Sequence, residues 1–194
     1  MPMMALLVLT AFVFVMPPPA PVAVRASQLQ GSSLCLANGD GTYLLVDAPT
    51  PAYEWFTYRD TEYWFTMRRT GTGHAVQRKF RRLDRVLDQE GAIALIEAEY
   101  EKGKAATRGT WAREYALRIE SSGASDVPEA GSIRIVTVVE HNGVAGARVV
   151  TYFTPRRYQF EGSLDDSPDA ADFAAMLASY RITERPCGAA VVTP

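Results

Sequence analysis

Two histidines and two cysteines are all that this 194-residue chain offers of the nitrogen and sulfur side chains that bind zinc. A zinc centre needs three or four such ligands converging on one point. His74 and His141 each sit among turn residues, so neither a metal centre nor any other cofactor is expected. The nucleophile signature G-x-S-x-G is also missing, which removes the commonest mark of an α/β hydrolase. "GTG" at 71–73 is too short for a phosphate loop and is followed by His74 instead of lysine. No strong charge of either sign is present. The formal net charge is −2, which argues against a general nucleic-acid binder.

Long apolar runs are lacking too. Ala5–Met16 is uncharged and apolar over twelve residues, short of the roughly 20 that a membrane-spanning helix requires. "PPPAP" follows, then "VRA" before Ser27, with Val24 and Ala26 at the small-residue positions of a signal peptidase site. The sequence therefore predicts a signal peptide over 1–26 and a single exported domain over 27–194, periplasmic or extracellular, with no membrane span after cleavage. No Lys or Arg precedes the apolar run, and a retained leader would act as a membrane anchor. Cleavage removes Arg25 and no other charge, taking the net charge from −2 to −3.

Cys35 and Cys187 lie near opposite ends of the mature chain. Two thiols in an oxidising compartment usually pair, so a disulfide stapling the termini is expected. A redox dithiol and two free thiols are the alternatives, although the close C-x-x-C spacing of redox pairs is absent.

What is abundant is β-favouring and aromatic sequence. Residues 27–41 are polar and glycine-rich and read as a lead-in to a first strand over 42–49. Seven aromatics crowd 53–65, including Trp55 and Trp64, and predict two strands broken near Arg59-Asp60-Thr61. They read as core under a sheet covered on both faces, or as a flat-ligand platform. From Ala75, Val76, Phe80, Leu83 and Leu87 fall at helical spacing, with Arg78, Lys79, Arg81, Arg82 and Arg85 on the remaining surface. This predicts a basic amphipathic helix. Gly91 then interrupts, and 92–104 is a continuation or a second helix ending near Gly103. A strand over 110–121 and a loop over 122–131 follow. Strands over 132–164 come next, turning at Asn142-Gly143 and Thr154-Pro155. Ser167 and Pro168 suit the cap and first position of a last helix. Phe173, Met176, Leu177 and Tyr180 form its i, i+3, i+4, i+7 stripe. Asp165, Asp166, Asp169 and Asp172 compensate its dipole or, less directly, suggest calcium. Asp172 and Ser179 lie off the stripe and are expected to be dispensable.

"FAAMLASYRI" (173–182), "GTWAREYAL" (109–117) and "TYFTPRRYQFEG" (151–162) resemble segments of the PsbP-like superfamily. That resemblance implies an α+β fold: an antiparallel β-sheet flanked by helices in an α/β/α sandwich. It carries over no catalytic residue, since such folds host scattered functions. The leading functional expectation is thus a non-catalytic exported binding or accessory protein of the cell envelope. Its candidate binding residues are Arg78, Lys79, Arg81, Arg82 and Arg85, facing an acidic protein or anionic lipid surface, and a pocket near Trp55 and Trp64. A secreted hydrolase centred on His74 or His141, and a purely structural envelope component, are the alternatives.

Overall fold

The computed structural model describes residues 21–23, 29–30, 33–49, 53–58, 61–69, 78–106, 115–164 and 168–187. The leader's apolar run, "GTGH" with His74, Trp111, Arg113, Asp165, Asp166 and Ser167 lie outside the described residues, as do the side chains of Arg78, Lys79, Trp64 and Asp169. Twelve described strands and two helices follow one another as β1 (Pro21–Ala23), β2 (Leu29–Gln30), β3 (Ser33–Ala37), β4 (Tyr43–Asp47), β5 (Tyr53–Tyr58), β6 (Thr61–Arg69), β7 (Arg78–Arg82), α1 (Gln89–Ala106), β8 (Tyr115–Ser125), β9 (Ser132–His141), β10 (Val144–Phe153), β11 (Tyr158–Ser163), α2 (Pro168–Ala178) and β12 (Arg181–Thr183). Two antiparallel sheets result. The larger has eight strands in the order β1-β5-β6-β7-β11-β10-β9-β8, and the smaller has four in the order β12-β4-β3-β2. The mixed α+β class expected from the sequence is therefore present.

The aromatic segment does form two strands, β5 and β6, and Asn142-Gly143 does turn a hairpin. Both residues of that turn take positive φ, 52° and 74°, the backbone that an Asn-Gly pair tolerates at least cost. Other expectations fail. The basic segment is not a helix: Arg78–Arg82 is strand β7, paired to β6 on one side and β11 on the other. Its apparent helical stripe is divided by the sheet. Phe80 joins the core on one face, whereas Leu83 and Leu87 join the cluster on the other. The lead-in is not wholly irregular either, because Ser33–Ala37 is the strand β3, with Leu34 and Cys35 buried. Residues 122–125 extend β8 past a bulge near Ile119 and Ser121 instead of forming a loop. Gly91 does not break a helix, and Gly103 does not end one. The Asp88 carboxylate accepts the Gly91 N–H at 2.8 Å, a side-chain cap on the first turn of α1. A Cβ on residue 91 would approach that carboxylate to 2.9 Å, so glycine suits a close cap here.

One face of the large sheet is sealed. Leu34, Leu44 and Val46 of the small sheet meet Trp55, Phe80, Val136, Val150, Tyr158 and Phe160 of the large one, and Phe173, Met176 and Leu177 of α2 close the same cluster. Phe173, Met176 and Leu177 of the expected stripe are therefore the buried face of the helix, while Tyr180 follows its end, half-buried against the same cluster. Phe173 lies directly on Gly162, where any Cβ would fall 2.5 Å from the ring. Ser179, expected to be idle, accepts the Asp47 N–H at 2.9 Å and donates to the Met176 carbonyl at 2.6 Å. Beyond α2, β12 pairs with β4, and Cys187 bonds to Cys35 of β3 across 152 residues. In the chain-entropy model a link closing a loop of that order is worth about 5 kcal/mol.

The opposite face carries α1. Among the described side chains of this helix Ala92 alone is fully buried, over Ile135 and Phe153, with Ile93, Leu95 and Ile96 half-buried around it. Among the described residues no helix is long and apolar enough to cross a membrane.

Candidate functional site

Strand periodicity decides which side chains lie beneath α1. Successive residues of a strand point to opposite faces. With Phe80, Tyr158 and Phe160 in the sealed core, their neighbours Arg81 and Gln159 belong to the α1 face. They are register partners on adjacent strands. Trp64 of β6 stands opposite Arg81 on the other side. Arg81 Nε donates to Gln159 Oε1 at 2.8 Å, and its Nη2 forms an ion pair with Glu99 of α1. The Arg81 side chain is largely covered, at 14% exposure, while that of Glu99 is 36% exposed. Thr137 and Thr151, both buried, continue the polar character across β9 and β10.

Two buried polar atoms in this region have no hydrogen-bond partner among the described residues: Gln159 Nε2 and the Tyr100 hydroxyl. Gln159 is 0% exposed. Leaving a buried amide donor unpaired costs about 1–3 kcal/mol, so such an atom calls for an explanation. Burial, helped by the nearby Glu101 charge, raises the Tyr100 phenol above its ordinary range.

Grooves run along both flanks of α1. The first has a volume of about 600 Å³ and is lined by Leu83, Leu87, Ala94 and Leu95, with Asp84 and Arg85. The second, of about 390 Å³, lies between Glu97, Tyr100 and Lys104 of the helix and Tyr115 and Leu117 of β8. The ridge Ala92–Ile96–Glu99 points between them onto the sheet, as the i, i+4, i+7 spacing requires.

The three basic candidates whose side chains are described, Arg81, Arg82 and Arg85, do not share one face. Arg81 points beneath α1. Arg82 crosses to the small sheet, donating to the carbonyls of Ala37 at 2.8 Å and Asn38 at 2.6 Å. Arg85 is exposed in the connection to α1. Arg78 and Lys79 are placed in β7 by their backbone alone. The helix face on which these residues were expected to gather is therefore a strand. Trp55 is 6% exposed and packs in the sealed core, so the reading of it as core holds. His141 stacks on Tyr115 with ring centroids 4.5 Å apart. Among the described residues no three His, Cys, Asp or Glu side chains are grouped to hold a metal.

Sequence reasoning missed Gln159, Glu99 and Tyr100. A signal existed for Gln159, a polar residue between Tyr158 and Phe160 in a run otherwise suited to a buried strand. Nothing in the sequence signals that Glu99 reaches Arg81. No family model matches this chain, and no curated protein is significantly similar to it.

Proposed function

We propose that this chain is an exported, non-catalytic binding or accessory protein of the cell envelope, of the PsbP-like type, taking its ligand on the α1 side of the large sheet. The unpaired amide of Gln159 beside Arg81 carries this reading. A polar floor with a spare donor, under a helix with one fully buried residue among those described, is what a ligand can exploit; among the described residues the sealed face shows no such unpaired donor. The donors are an arginine and an amide, so an anionic group is the best match, which keeps an acidic or anionic partner as the ligand class.

The disulfide supports the exported location, because such bonds persist in oxidising compartments. Cleavage after Ala26 would remove β1, an outermost strand pairing only with β5, and leave the other seven strands of the sheet intact. N-terminal sequencing of the exported protein should begin at Ser27; a chain starting at residue 1 would reject the cleaved leader.

The ligand face is tested by amide NMR of the oxidised protein titrated with a low-molecular-weight extract of the envelope. Shift changes should cluster on β7, β11 and α1. Changes confined to β3, β4 and α2, or none at all, would overturn the assignment.

A further inference from the structure

The groove of about 600 Å³ and the Arg81–Gln159 pair lie on the same face of the large sheet and are linked through neighbouring residues of the chain. Leu83 lies two residues past Arg81 and packs on the same side of the sheet. Leu95 lies one helical turn before Glu99 and lines the same groove. Following the chain out of β7, or back one turn along α1, therefore leads from charge to hydrocarbon. The apolar end is formed by Leu83, Leu87, Ala94 and Leu95. The polar end offers the guanidinium of Arg81 and the unpaired Nε2 of Gln159.

Among its partners the guanidinium already holds a carboxylate on Nη2. Glu99 reaches Arg81 from a helix that is only lightly held to the sheet. Its own side chain stays partly in water, so withdrawing it costs little desolvation. It does not use the Gln159 amide, which remains without a partner. A free carboxylate could replace Glu99 on Arg81 and also accept the Gln159 N–H, making a contact that the resident side chain does not make.

We infer that this site binds an amphiphilic carboxylate, its head on Arg81 and Gln159 and its aliphatic tail in the Leu83–Leu87–Leu95 groove, with Glu99 acting as an internal placeholder that the ligand displaces. The inference rests on the reading of the α1 side as the ligand face and goes further by naming the ligand class. The volume lies in the range of small-molecule sites, and pairing apolar walls with few polar anchors is their usual construction. Arginine suits a carboxylate through its planar fork of donors.

Isothermal titration of the oxidised protein with octanoate, 1-octanol and octylammonium tests it. Octanoate should bind at least tenfold more tightly than either control, because only the carboxylate uses the charge-assisted pair. Glu99→Gln removes the competitor from a partly exposed position, so the fold should persist and octanoate affinity should rise about tenfold. Gln159→Leu should lower it. Equal binding of octanol and octanoate would overturn the carboxylate site while leaving a ligand face in place. An octanoate affinity unmoved by Glu99→Gln would overturn the placeholder. Failure of octanoate to bind both the native protein and the Glu99→Gln variant would overturn the ligand class. The NMR titration with extract judges the ligand face independently of all three results.

Discussion

The two faces of the large sheet are built on different terms. One is covered by a second sheet, by α2 and by the disulfide, and it is apolar nearly throughout: Trp55, Phe80, Val150 and Phe160 meet Leu34, Leu44, Phe173 and Met176. The other is covered by α1 alone, and its floor mixes Ile135 and Phe153 with Arg81, Gln159, Thr137 and Thr151. Apolar burial contributes about 25 cal/mol per Å² and favours sealing. A buried polar group without a partner works against it. The first face therefore holds the fold, and the second keeps groups that a ligand can satisfy. Among the described side chains α1 buries fewer than α2, so it is the more lightly docked of the two helices.

The sharpest way to break this comparison is to truncate one apolar side chain under each helix. Phe173→Ala should destabilise by about 3–5 kcal/mol, the usual cost of deleting a buried phenylalanine. Ile96→Ala, at a half-buried position on the inner face of α1, should cost only about 1–2 kcal/mol. Urea denaturation measures both, and equal costs would mean that the two faces carry the fold alike.

Gly162→Ala adds a single methyl group to the sealed face. It would meet the Phe173 ring at 2.5 Å, so α2 must shift, at about 1–3 kcal/mol. Full stability in the same denaturation experiment would show that the helix has slack there. Ser179→Ala removes a hydroxyl that bridges Asp47 and Met176. About 1 kcal/mol should be lost, and no loss would return Ser179 to the idle role that its helical position suggests.

A further expected effect is an alkaline pH dependence to which two phenols of the sealed face contribute. Burial pushes the Tyr158 hydroxyl up to about 12, against the opposing pull of Arg82 and Arg157. Its proton is donated to Asn38 Oδ1 in the turn between β3 and β4. Burial also raises Tyr180, and its hydrogen bond to Glu129 raises it further. Phenols held protonated by the fold contribute stability that is complete below their unfolded pKa, roughly 10. That contribution is lost as pH rises through the folded values. Alkaline titration by circular dichroism should show stability falling from about pH 10 upward. Tyr158→Phe should reduce the dependence, and an unchanged profile would show that this phenol titrates freely.

How much could be read from the residues alone depended on whether the controlling interaction was local. The last helix was legible because its start at Pro168 and its stripe through Phe173, Met176 and Leu177 are set by neighbours within a few turns. The Asn142-Gly143 hairpin was legible for the same reason, a positive-φ turn between two β-branched runs. Strand β7 was not. "RKFRR" carries one apolar residue, too few to show a period of two, and its strand identity comes from β6 and β11 on either side. Joining Phe80 to Leu83 and Leu87 produced a helical stripe from residues that lie on opposite faces of the sheet.

By itself the sequence determined the α+β class, the pairing of Cys35 with Cys187, the aromatic strand pair and the last helix with its buried stripe. Each follows from local periodicity, turn chemistry or the count of two thiols. Only the tertiary structure decided that Arg81, Gln159 and Glu99 meet. They stand on three elements separated by long stretches of chain, and strand order and helix docking bring them together. A side chain's place on a strand has a period of two, whereas strand order has no signature within any one strand. The sequence can show that Gln159 belongs to a buried run, but which partner it has, and which donor it leaves unpaired, arises only when the sheet is assembled.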